Sequence, residues 1–187
     1  MKAFIFSGHM VDAPGRKQPR FPASLERVVA LEIQTVLRRL RARRGDIAVV
    51  SGAAGGDILF AEAALATGLT VRLFLPLPEA EFIAESVAFA GVGWAPRYRA
   101  VAHNAQTTVS TSHPSEGESP FGACNTAMVA CALGLGADSV ACILLWDGLG
   151  GDGPGGTGHM AALAAEHGIA THVIDIIASR EARSGPA

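Results

Sequence analysis

Short apolar runs alternate with amphipathic stretches along almost the whole chain. Ala3 to Phe6 is continuously apolar and opens into Ser7-Gly8-His9, the pattern of a strand buried on both faces and running into a loop. Val11 to Arg20 holds Pro14, Gly15 and Pro19 and reads as a loop. Leu25, Val28, Val29, Ile33, Val36, Leu37 and Leu40 then recur at steps of three and four, which predicts a helix with one face on a sheet. Pro22 lies near its first turn and Gly45-Asp46 ends it. Ile47 to Val50 predicts the second strand, Ile58 to Ala66 a helix closed by Gly68, and Val71 to Leu75 a third strand stopped by Pro76 and Pro78.

The second half is less regular. Glu79 to Ala90 predicts a helix, Gly91 to Ala102 shows no clear period, and His103 to Pro120 is the longest polar stretch, which reads as a loop or lid. Phe121 to Leu135 predicts a helix rich in small residues, and Ser139 to Trp146 is the most apolar strand candidate. Glycine dominates Gly148 to Gly158, a helix is expected from His159 to His167, and Thr171 to Ile176 gives the last strand. No internal repeat is visible. Alternating strands and helices with short connections imply an α/β fold, a Rossmann-like three-layer sandwich with a mainly parallel sheet. It is expected as one domain over residues 1–178, with a polar tail at 179–187 that frays.

Composition narrows the class. The chain has 187 residues, 49% hydrophobic and 17% charged, enough apolar material for a large core and too little charge for disorder. A net charge of −2 gives no general attraction to nucleic acid or anionic lipid, so a nucleic-acid partner is not expected. The basic run Arg38, Arg39, Arg41, Arg43 and Arg44 sits at a predicted helix end, where cations favour the dipole. No apolar run approaches a membrane span or a signal-peptide core, so a cytoplasmic protein without a membrane partner is expected. Cys124, Cys131 and Cys142 form no CxxC pair and read as buried free thiols; no metal site and no cofactor are expected.

Candidate chemistry gathers at three strand ends, Ser7-Gly8-His9, Ser51 to Asp57 and Trp146 to Gly158. In a parallel sheet these ends share one edge, where ligands of open α/β folds bind. Glycine admits close backbone approach, and a following helix offers free amides and its positive dipole end. The candidate ligand-binding set is therefore Ser7, Gly8, His9, Arg16, Ser51, Gly52, Ala53, Gly55, Gly56, Asp57, Asn125, Asp147, Gly155, Gly156, Thr157 and Gly158. Neither glycine loop continues as Gly-Lys-Ser/Thr, and Gly52 to Gly56 is not a GxGxxG, so neither a P-loop nor a standard dinucleotide fingerprint is present.

Several of these residues have two readings. Ser7 and Ser51 either cap turns or donate to phosphate; Asp57 either N-caps a helix or takes a ribose hydroxyl; Thr157 either caps or binds an anion. Arg16 and Arg20 are either surface cations or a clasp over phosphate, and Asn125 either a helix-start amide or a contact to base or ribose. Asp57, Asp147, Asp152, Glu62, Glu81 and Glu85 are the available carboxylates, but no Ser-His-Asp set stands out and no catalytic residue is assigned.

Ser51-Gly52-Ala53-Ala54-Gly55-Gly56-Asp57 with the alanine-rich Ala61 to Leu65 behind it resembles the SLOG superfamily, which includes DprA-like, YpsA-like and Lonely Guy (lysine-decarboxylase-like) proteins. The opening Ser7-Gly8-His9-Met10 and Asp12 to Arg16 look like a bacterial signalling subgroup. The resemblance spans residues 2–176 and implies a Rossmann-like fold that senses or processes nucleotide-derived ligands. Pro154 to Gly158 looks like the phosphate-binding PGGxGT of the Lonely Guy enzymes, which release a base from a nucleoside monophosphate. Here His159 replaces the following threonine, and Ala162 stands where the catalytic glutamate would be. The leading expectation is a sensor domain for a nucleotide-derived small molecule, with a nucleotide hydrolase using another acid as the alternative; a homodimer is compatible with the fold.

Overall fold

A computed structural model describes residues 1–109, 117, 119–149, 155–176 and 178. Six strands form one sheet in the order β4-β3-β2-β1-β5-β6, with every neighbouring pair parallel. The strands are β1 (Lys2–Gly8), β2 (Ile47–Val50), β3 (Thr70–Leu75), β4 (Gln106–Val109), β5 (Ser139–Trp146) and β6 (Ala170–Asp175). The helices are α1 (Glu26–Arg39), α2 (Gly56–Thr67), α3 (Glu79–Ser86), α4 (Trp94–Asn104), α5 (Pro120–Gly134) and α6 (Thr157–Glu166). The chain builds outward from β1 to β4, then returns to the other flank of β1 for β5 and β6, so the order reverses between β1 and β5.

The alternation of side chains along β1 explains the layers. Phe4 and Phe6 point into a core shared with Val29, Ile33 and Leu37 of α1, Ile58 and Phe60 of α2, and Tyr98 and Val101 of α4. Ala3 and Ile5 point the other way, onto Cys124, Met128 and Ala132 of α5 and Met160 and Ala164 of α6. Burial on both faces is why β1 and β2 read as unbroken apolar runs. Phe6 stacks on Phe60 with centroids 4.6 Å apart, fixing α2 against the central strand.

Three segments differ from the sequence reading. Gln106–Val109, expected in a loop, pairs with β3 as an edge strand. All four of its residues are exposed, so burial imposes no polar–apolar alternation on it. The helix expected over Glu79 to Ala90 stops at Ser86 because the Ser86 carbonyl accepts from the Ala54 amide at 2.8 Å instead of continuing the ladder; a short 3-10 turn, Ala88–Ala90, follows. Residues 94–104 form a helix whose buried positions Trp94, Tyr98 and Val101 are spaced four and three apart. Much of the expected lid at 103–120, the glycines at 150, 151 and 153, and the tail at 179–187 lie outside the described residues. No helix among the described residues is long and apolar enough to cross a membrane.

Candidate functional site

A cavity of about 270 Å³ opens at the carboxyl edge of the sheet, where the strand order reverses. Ser7, Gly8 and His9 reach it from the end of β1, Ser51, Ala53 and Asp57 from the junction of β2 and α2, and Gly155, Gly156 and Thr157 from the start of α6. Asn125 of α5 completes this predicted set. Arg20, weighed above as a clasp over phosphate, and Met10 of the opening motif also reach it, and packing adds Pro76, Phe82, Ser86, Phe121, Cys124 and Met128. The cavity is thus two-sided in character, with an apolar wall of aromatic and thioether groups and a set of hydroxyl, carboxyl and guanidinium groups.

The loop after β2 departs from the expected amide cradle. Its amides are already engaged: Gly52 and Ala53 donate to Asp57 Oδ2 at 3.1 and 3.2 Å, Ala54 to the Ser86 carbonyl at 2.8 Å, and Gly56 to the His9 carbonyl at 3.1 Å. Its glycines answer to packing. Gly55 has φ +120°, and a side chain there would meet the Val11 nitrogen at 2.5 Å and the His9 oxygen at 2.9 Å. The strand-like contact of Met10 with Gly55 zips the two loops together. Gly52, Gly55 and Gly56 therefore build the wall of the site without lining the cavity.

What this loop offers the cavity is an acid. Asp57 is 5% exposed, and its Oδ1 has no hydrogen-bond partner while Oδ2 carries the two loop amides. Burial pushes its carboxyl up to about 7; the Ala53, Gly52 and Gly8 amides oppose the shift, the last without meeting Oδ1 in hydrogen-bond geometry. The Cys124 thiol, on the facing helix, is pushed up to about 12 by burial and by the Asp57 charge, and it donates to the Phe74 carbonyl, so it is held as a neutral thiol.

The start of α6 is left without a side-chain cap. Its N-cap is Gly156, and Thr157 is 5% exposed in the cavity wall. Asn125 holds this loop in place by donating through Nδ2 to the Gly155 carbonyl at 2.9 Å and toward the Gly156 carbonyl at 3.4 Å. Gly155, with φ +96°, lies against Phe121 and Gly122, close enough that a Cβ would stand 2.8 Å from the Gly122 nitrogen. The start of α5, by contrast, is closed: Ser119 Oγ accepts from the Gly122 amide, and Pro120 has no N–H. No hydrogen bond from the Ser7, Ser51 or Thr157 hydroxyl is found among the described residues.

Beside this pole stands an ion cluster. Arg20 grips Asp147 with Nε to Oδ2 at 3.0 Å and one terminal nitrogen to Oδ1 at 3.1 Å, and His9 Nε2 lies 3.2 Å from Oδ1. Burial raises the Asp147 carboxyl, but the Arg20 hydrogen bonds, the Leu149 amide and the His9 and Arg20 charges outweigh it and bring it down to about 2. Asp147 thus orients Arg20 and His9, which line the cavity, and does not line it itself. Of the two arginines weighed as a clasp, Arg20 lines the cavity, while Arg16 stays on the outer loop, bonded to the Gln18 carbonyl and 3.6 Å from Asp12. Gly158 lies one step into α6, outside the lining. Glu62 is held by Arg97 on the far side of α2, and Ala162 is exposed, so neither puts a carboxylate in the cavity. Among the described residues no cluster of three or more His, Cys, Asp or Glu is placed to hold a metal ion.

No protein-family model matches the sequence, and no curated protein matches it. Solved structures do match. TM1055, a structural genomics target, superposes with a TM-score of 0.50 over 91% of this chain and 72% of its own, at 17% identity. The chain has a Rossmann-like α/β fold. DNA processing protein A from Helicobacter pylori, described with a single-stranded DNA binding mode, covers 98% of this chain and 73% of its own at 16% identity and a TM-score of 0.49. A Moco carrier protein from Chlamydomonas reinhardtii covers 97% and 94% at 14% identity and a TM-score of 0.36. At these identities the likeness carries the fold alone, and what the cavity binds has to be argued from its own groups.

Proposed function

We propose that the chain binds a phosphate-bearing nucleotide or nucleotide-derived small molecule in this cavity, as a sensor or signalling domain. One observation carries the reading: the uncapped start of α6 shares a single cavity with Arg20, the Ser7 and Ser51 hydroxyls and an apolar wall containing Phe82 and Phe121. A helix start and a guanidinium favour an anion, and aromatic and thioether walls favour a flat heterocycle beside it. The departure of Ala162 from the catalytic glutamate position supports binding over turnover. Calorimetry against a panel of nucleoside phosphates, nucleosides and inorganic phosphate is the test. Submillimolar binding of at least one phosphate-bearing member, weakened at least about tenfold by Arg20→Gln, is expected. No binding by any phosphate-bearing member would end the reading.

A second reading, a hydrolase of N-glycosidic or phosphate bonds, has one observation in its favour: a buried carboxyl held near neutral pH in the cavity. Chromatographic product analysis separates the two, since a sensor returns each nucleotide unchanged at high protein concentration.

A further inference from the structure

The basic run at the end of α1 has no part in the cavity. It leads into the start of β2, at the amino edge of the sheet, whereas the cavity opens at the carboxyl edge. Attraction to the helix dipole accounts for Arg38 and Arg39, which lie in the last turn of α1. Arg41, Arg43 and Arg44 lie beyond it, and the helix end is already met by Lys2, whose Nζ donates to the Leu40 carbonyl at 2.6 Å. All five arginines are exposed. Arg38 donates to the Thr35 hydroxyl, and the side chains of Arg39, Arg41, Arg43 and Arg44 make no hydrogen bond or ion pair among the described residues. Asp138, which feels the Arg43 charge, is bonded to the Met1 ammonium instead. The turn that presents the arginines is tightly built. The Arg41 amide donates to the Arg38 carbonyl at 2.9 Å and the Ala42 amide to the Leu37 carbonyl at 3.0 Å, a Schellman closure of the helix. Glycine is the usual residue at the left-handed position of this closure; here it is Arg41, with φ +55°, the one non-glycine residue of positive φ among the described residues. Buried Asp46 locks the far side, accepting from the Lys2 and Arg43 amides at 2.8 and 3.0 Å. Leu40 and Ala42 pack onto the core, so the arginines around them are held out from a fixed frame.

We propose that this turn is a docking surface for an acidic segment of a partner protein, a short run of Asp or Glu side chains on extended chain. The surface is independent of what the cavity binds. Guanidinium groups grip carboxylates through paired N–H donors, and arginine clusters are a recurring means of reading acidic motifs. Charge and size select this partner over other polyanions. The whole chain carries a net charge of −2, so without these five cations the rest of it carries −7, which repels a long polyanion on either side of the patch. Seven residues at a helix end span on the order of 10 Å, the length of about three residues of extended peptide. Among the described residues none of the exposed large apolar side chains is aromatic, so none can stack the bases of a single-stranded nucleic acid. None of them falls within residues 38–45, where it could anchor the turn in a lipid surface.

The probe is a fluorescein-labelled hexaglutamate peptide, titrated with the full chain at low ionic strength and read by anisotropy, beside hexaglutamine, hexathymidylate and vesicles containing phosphatidylserine. Hexaglutamate is expected to bind at least about tenfold more tightly than hexaglutamine. Arg44→Glu is expected to weaken it about tenfold, whereas Lys17→Glu, the same charge change on the exposed loop after β1, leaves it within about twofold. Arg41→Gly separates recognition from architecture. Glycine suits the left-handed position, so the variant is expected to melt no lower than wild type while binding the peptide about threefold more weakly. Thermal melts of each variant distinguish loss of the surface from loss of the fold. Affinity for hexaglutamate no better than for hexaglutamine, or unmoved by both Arg44→Glu and Arg41→Gly in folded protein, overturns the docking surface. Tighter binding of hexathymidylate or of the vesicles, lost in the same variants, overturns the acidic-protein partner and assigns the patch to nucleic acid or lipid. None of these outcomes bears on the cavity, whose ligand is tested by the nucleotide panel.

Discussion

At the scale of single residues, Asp57 shows how one side chain serves stability and chemistry with opposite demands. Its folded-state carboxyl lies near 7, above the ordinary value of 3.8, because burial disfavours the charge more than the loop amides favour it. The sign follows from proton linkage: the folded protein holds this proton more tightly than the unfolded chain does. Asp57 therefore favours folding below about pH 4, and that contribution is lost as pH rises to about 7, a difference on the order of 4 kcal/mol. Asp57→Asn cannot titrate. Urea denaturation of both proteins between pH 4 and 8 should show wild type losing stability relative to the variant as pH rises, with the gap levelling above pH 7. Parallel stability profiles across that range would mean that the carboxyl titrates near its ordinary value. The same residue marks how far sequence reasoning reached. Asp57 was legible because it follows a strand and a glycine loop, but only the structure shows one of its oxygens occupied and the other free.

At the scale of elements, legibility followed burial. β2 and β5 were readable to the residue because both faces of the central sheet are buried and their sequences are plainly apolar. β4 was not, since an exposed edge strand of Gln-Thr-Thr-Val has no buried face to mark it. α4 hid behind Gly91, Gly93 and Pro96, although Pro96 falls in its first turn, where proline is tolerated. The site divides in the same way. Most residues directly after strands were visible as motifs, whereas Phe82, Ser86, Phe121 and Met128 join them only through tertiary packing. The junction of α5 and α6 gives this a test. Gly155 has φ +96° and packs against Phe121 and Gly122, while Gly136, also with positive φ (+61°), faces open space. Both alanine substitutions incur the backbone cost of a left-handed residue, about 1 kcal/mol. Gly155→Ala must also push the α6 loop off α5, so it is expected to cost about 2 kcal/mol more than Gly136→Ala and to weaken nucleotide binding, which Gly136→Ala leaves intact. Equal losses from the two variants, read by denaturant melts, would show that the close approach at Gly155 is relaxed in solution.

At the scale of the whole molecule, the site lies across the sheet rather than on one of its faces. Asp57 arrives from the α1–α2 layer, Asn125 and Thr157 from the α5–α6 layer, and β1 supplies Ser7 to His9 between them. The reversal of strand order between β1 and β5 is what opens this gap, because the connections leaving the two strands diverge to opposite faces. A nucleotide that rests its phosphate on α6 and fills the cavity toward the α2 wall would tie the two layers together, and hydrogen exchange can see this. At a ligand concentration of 100 times Kd the folded state gains about 2.7 kcal/mol, which slows exchange by up to about 100-fold wherever opening requires ligand release. With a phosphate-bearing nucleotide bound, protection is expected at both poles at once, in the first turn of α6 and in the Gly52 and Ala53 amides that rest on Asp57. The exposed edge strand β4, remote from the β1–β5 gap in the sheet order, should exchange as it does without ligand. Protection confined to α6 would describe a ligand held by its phosphate alone, and the cavity would then act as an anion site on one layer instead of a clamp between two.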